Sequence, residues 1–141
     1  MRLALLCMFV IAAAILSILA IVELTADEGA MPVAEFNRHI AEVHQAGESW
    51  LESPRAVALS FVGEDCDCGK RTVANPTGDS ASQTMVIVTD EGAHDDSIDT
   101  TRFRIFLSMT EAGYWKIDRA RQSWRCWPGR GHRHFSTEPC G

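Results

Sequence analysis

The 141-residue sequence predicts an α+β fold: an N-terminal transmembrane helix, then one amphipathic helix packed on a curved antiparallel sheet of four or five strands. Three observations predict it. Residues 3–22 carry no charge, residues 32–52 place apolar side chains at helical spacing, and several later segments alternate apolar with polar residues.

The apolar segment lies between Arg2 and Glu23, with Ser17 as its clearly polar side chain. A helix of about 20 residues is about 30 Å long, the thickness of a bilayer hydrocarbon core. The run exceeds the usual apolar core of a cleaved signal, so residues 1–26 read as a membrane anchor or uncleaved signal. Cleavage after Leu24-Thr25-Ala26, giving a secreted protein, is the alternative. Arg2 precedes the segment while Glu23, Asp27 and Glu28 follow it, which by the positive-inside rule puts residues 27–141 outside the cytoplasm, periplasmic or extracellular, as one domain. Cys7 reads as a small apolar residue within the bilayer.

In residues 32–52, Phe36, Ile40, Val43, Gly47, Trp50 and Leu51 recur on one face. Pro32 suits a first helical turn and Pro54 ends the run, because a residue before proline is pushed out of the α region. Strands are expected at 55–62, 83–89 and 101–109. The last alternates Phe103, Ile105, Leu107 and Met109 against Arg102, Arg104 and Ser108. A turn at 110–113 leads to a returning strand that starts at 114–117, bends near 118–122 and resumes at 123–127. Residues 63–82 and 90–100 read as loops, the first long for a compact domain.

Charge divides the chain. Residues 23–99 hold 16 acidic and 4 basic side chains, whereas residues 100–141 hold 8 basic and 3 acidic, within an overall −6. Either the halves attract one another or the C-terminal part offers a basic face to a protein or an anionic envelope component. The overall negative charge argues against nucleic acid as the main partner.

Cys66, Cys68, Cys126 and Cys140 are an even set in the exported part, which points to disulfides. A Cys66–Cys68 bridge closes a very tight ring, so crosslinks from Cys66 and Cys68 to Cys126 and Cys140 are expected. Each would close a loop of roughly 55–75 residues and stabilise by about 4 kcal/mol.

The densest candidate site is RQSWRCWPGRGHRHF, residues 121–135. Arg125, Arg130 and Arg133 supply forked donors for carboxylate, phosphate or sulfate, and Trp124 and Trp127 supply stacking faces. A metal reading takes His132, His134, Cys66 and Cys68 as a Cys₂His₂ set for zinc or copper, at a spacing unlike common zinc modules. Redox chemistry at Cys66 and Cys68 is not favoured, since neither lies in a CxxC motif. No nucleophile elbow, P-loop, dinucleotide fingerprint or HExxH occurs, so no catalytic residue and no cofactor are nominated.

The order of one helix followed by a meander of strands is similar to the layout of cystatin-like and NTF2-like folds, a likeness of element order alone. The expected function is a membrane-tethered extracytoplasmic interaction module with a disulfide-stapled basic and aromatic surface. The alternatives are an exported metal-binding protein with Cys/His ligands and an enzyme without a recognisable motif.

Overall fold

The computed structural model describes residues 29–76 and 82–141. The apolar segment 3–22 and Cys7 lie outside the described residues, and no helix among those described is long and apolar enough to cross a membrane.

The fold is α+β. Strand β1 (Gly29–Met31) leads into helix α1 (Ala34–Gln45), a 3-10 turn (Ser49–Glu52) and helix α2 (Pro54–Val62). Strands β2 (Cys68–Ala74), β3 (Gln83–Ala93), β4 (Ile98–Met109) and β5 (Trp115–Cys126) follow. All five strands form one antiparallel sheet in the order β1-β5-β4-β3-β2. Four consecutive strands meander, and β1 closes onto the far side of the last.

The helical layer differs from the sequence expectation at two points. The helix expected over 32–52 stops at Gln45, where the amides of Ala46 and Gly47 turn back onto Val43 O and His44 O. Gly47 takes φ 77°, a conformation that ends helices and favours glycine. Residues 55–62, expected as a strand, form α2. The Ser53 hydroxyl accepts from the Ala56 amide at 3.3 Å, and Pro54 occupies the first helical turn. Pro54 therefore starts the second helix, the first having already ended at Gln45. Val57, Leu59 and Phe61 alternate like a strand, but Val57, Ala58, Phe61 and Val62 also mark one helical face. Phe61 meets Phe36 of α1 edge-on at 5.2 Å.

Both helices cover one face of the sheet. Ile40, Leu51, Val57 and Ala58 from the helical layer meet Val86, Val88, Ile105, Leu107, Trp115, Ile117 and Ala120 from β3, β4 and β5. Burying each large aliphatic side chain contributes about 1.5–3 kcal/mol. The strict alternation of burial along β3 follows from this one-sided cover.

Strand β2 falls within the stretch expected as loop. It is an edge strand of mixed composition, with Lys70, Arg71 and Thr72 set among Cys68, Gly69, Val73 and Ala74, so it carries little periodic signal, and charged side chains are common on sheet edges. The stretch 90–100 is likewise mostly strand, ending β3 and starting β4. Strand β5 runs unbroken where a bend was expected. A register shift between Phe106 and Leu107, opposite Arg119 and Ile117, marks a β-bulge that keeps the ladder continuous.

The disulfides pair locally, Cys66 with Cys68 and Cys126 with Cys140, in place of the long-range crosslinks expected. The sequence-distant cysteines sit on separate strands and loops, and each partner lies within its own turn of chain. In the chain-entropy model the Cys126–Cys140 loop is worth about 3 kcal/mol and the Cys66–Cys68 loop about half of that.

Candidate functional site

Alternation that buries one side of β4 and β5 puts arginines on the other. Arg104 lies directly opposite Arg121, and Phe106 opposite Arg119. Arg102 opposes Ser123, and Thr100 opposes Arg125. Directly opposed residues of an antiparallel pair share a face, so Arg102, Arg104, Arg119, Arg121 and Arg125 all project from the side away from the helices. Two guanidinium groups are thereby brought side by side across the β4–β5 ladder.

Two phenylalanines organise this face. The Arg119 guanidinium lies 4.0 Å from the centre of the Phe106 ring. Phe135, returned by the C-terminal segment, receives Arg102 at 3.9 Å and Arg125 at 5.0 Å. Flat cations held against ring faces are preoriented, which lowers the ordering cost of binding an anion. Arg125 also donates to Thr100 Oγ1 at 2.9 Å, while its Nε has no hydrogen-bond partner. At one end of the face Asp118 accepts from Ser108 at 2.8 Å, and Lys116 lies 3.9 Å from the same carboxylate.

The residues nominated from sequence divide between this face and an internal clasp. Arg125 belongs to the face, and the Arg130 side chain is exposed in the turn beyond β5. Trp124 Nε1 donates to Glu138 O at 2.9 Å, and Trp127 Nε1 donates to Asp95 O at 2.8 Å. Arg133 donates to Cys126 O and lies 3.6 Å from Asp99. These three bind the C-terminal segment to the sheet. The imidazole of His132 joins the clasp between His134 O and Glu138 O, each 2.9 Å away.

A tight loop completes the clasp. A Cβ on Gly131 would meet Cys126 Sγ at 2.9 Å, and this residue takes φ 141°, so only glycine fits without displacement. Asp95 anchors the facing loop. The amides of Ile98 at 2.7 Å and Ser97 at 2.8 Å donate to its carboxylate and hold its pKa below the ordinary value.

The Cys₂His₂ set does not come together. Cys66 and Cys68 group with Asp90, and His132 groups with Cys126 and Cys140, each set having its ligand atoms within 4.8 Å. Both groups contain a cysteine pair that is bridged, whereas metal ligation takes thiolates.

The arginine row was partly visible in the sequence. Arg102 and Arg104 already stood opposite the apolar positions of β4. The expected bend at 118–122 hid the matching phase of Arg119, Arg121 and Arg125, which a continuous strand brings alongside.

No known family model, curated protein or solved structure matches this chain, so its geometry is the ground for any functional reading.

Proposed function

We propose that this chain is an interaction module whose helix-free sheet face, edged by the C-terminal segment, binds a partner rich in carboxylate, sulfate or phosphate groups. The observation that carries the reading is the cross-strand arginine row of β4 and β5, with two of its members stacked on Phe135 and a third on Phe106. Guanidinium groups match oxyanions in forked geometry, and a row of them suits an extended anion better than a single small ion. Arg130, exposed beyond the end of β5, extends the row, whereas Trp124, Trp127 and Arg133 support it by fastening the segment that delivers Phe135. The sequence of residues 3–22 adds the proposal that the module is held at a membrane with its domain outside the cytoplasm.

Immobilised heparin, a sulfated polysaccharide, serves as the probe. Arg104→Ala combined with Arg121→Ala should lower the salt needed to elute the full chain, with the fold retained by circular dichroism. Arg130→Ala should lower it less. Unchanged elution of the double variant would refute the reading.

A further inference from the structure

Of the two disulfides, Cys126–Cys140 has an evident structural task. Cys126 is fully buried, Gly131 packs against its sulfur, and the bridge closes the segment that carries Phe135. Cys66–Cys68 has no comparable task. It spans one intervening residue, in the connection between α2 and β2, where chain direction is already set by other contacts. Cys68 enters the ladder opposite Ala93, and the carbonyl of Asp67 accepts from the His94 amide at 3.3 Å. The two cysteines would therefore stay adjacent with the bridge open.

This pair lies at the surface beside a buried ion pair. Both cysteines are half-buried rather than enclosed, and the flanking Asp65 and Asp67 are exposed. On the inner side stands Asp90, the one charged residue among the buried polar residues described, 9% exposed. A carboxylate oxygen of Asp90 and both sulfurs lie within 4.8 Å of one another. Arg71 fixes that carboxylate with Nε at 2.6 Å from Oδ1 and Nη2 at 2.7 Å from Oδ2. The same guanidinium reaches Gly63 O and Glu64 O, tying the connection to the sheet beside the bridge.

We propose that Cys66–Cys68 is a thiol–disulfide exchange site that accepts electrons from a protein dithiol. A thiolate of the partner attacks one sulfur of the bridge and forms a mixed disulfide, releasing the other sulfur as a thiolate. The partner's second thiol loses its proton, attacks the mixed disulfide at the partner's sulfur and frees the first sulfur of this chain. The partner leaves as a disulfide. Two electrons and two protons have moved to Cys66 and Cys68, the protons being exchanged with water. A small-molecule disulfide, oxidised glutathione in the test below, restores the bridge.

The full chain in a Cys7→Ser background, so that no fifth thiol reports, is equilibrated in glutathione buffers of graded ratio and alkylated. Peptide masses should show Cys66 and Cys68 labelled at least tenfold earlier in reduced-to-oxidised ratio than Cys126 and Cys140. Substoichiometric chain should then speed the oxidation of reduced, unfolded ribonuclease by oxidised glutathione. The Cys66→Ser/Cys68→Ser double variant should lose that acceleration while staying folded, its melting temperature lowered by no more than the short loop's own contribution. Opening of both bridges at one ratio, or equal acceleration by the double variant, would overturn the proposal.

Discussion

Asn37, in the first helix, completes the edge of the last strand at Ile117. Its side-chain amide donates to Ile117 O at 2.7 Å, and its side-chain oxygen accepts from the Ile117 amide at 3.0 Å. One carboxamide thus occupies a donor and an acceptor that a neighbouring strand would otherwise take, just where β1 no longer reaches. The β-bulge beside Ile117 and the helix that carries Asn37 are joined by this contact.

Asn37→Ala leaves a backbone donor and acceptor without their partners at a partly buried position. It should lower the free energy of unfolding by about 1–3 kcal/mol. Chemical denaturation checks the magnitude, and faster hydrogen exchange at the Ile117 amide checks the location.

Arg71 and Asp90 form an ion pair with both side chains largely withdrawn from water, 13% and 12% exposed. The hydrogen bond to Asp90 raises the Arg71 pKa above its ordinary value. Arg71→Met removes the cation and strands the carboxylate, at an expected cost of about 3–5 kcal/mol. Combining it with Asp90→Leu should recover most of that loss, and a double-mutant cycle by urea denaturation measures the recovery.

Gly131→Ala forces a methyl group against Cys126 Sγ at a backbone conformation that L side chains rarely adopt. The expected loss is about 1–3 kcal/mol, read as a lower melting temperature. Because the same loop delivers Phe135 to Arg102 and Arg125, heparin elution should also move to lower salt.

Asp95 links the clasp to acidity. Its pKa is lowered by the amides of Ile98 and Ser97, so its folded value lies below the unfolded value of about 4. A depressed carboxyl contributes stability that is present above the unfolded pKa and lost as pH falls through the folded one. The stability gap between the parent chain and Asp95→Ala should therefore be widest near neutrality and close below about pH 4. Urea unfolding at several pH values measures it.

The parts of this fold legible in the sequence are those where burial is one-sided and periodic. Phe36, Ile40 and Val43 mark α1, and the alternation Phe103, Ile105, Leu107 marks β4. Eight residues of α2 satisfy both periods, and the deciding signal was the pair Ser53-Pro54, a cap and first-turn residue rather than a stop. Strand β2 has almost no apolar phase to read. The bulge near Ile117 shifts the phase of β5 by one residue, which disguised a continuous strand as a bend and split the arginine row. Disulfide pairing depends on which turns bring sulfurs together, information that spacing alone does not hold. Trp124 and Trp127, nominated for their stacking faces, also donate their indole N–H groups to carbonyls across the clasp, a role that their sequence neighbours do not announce.

The outer edge of β5 is closed by three unrelated pieces. Asn37 covers Ile117, β1 covers 120–122, and Ser136 exchanges two backbone hydrogen bonds with Trp124. A single neighbouring strand would leave or stay as one unit. This border can instead be unfastened in sections, from either end of the domain, without disturbing the central ladder of β3 and β4. The edge is a seam with independent fasteners, and the section nearest Ser136 shares its segment with Phe135. Local opening there would remove an aromatic platform from the arginine face while the rest of the sheet stayed folded.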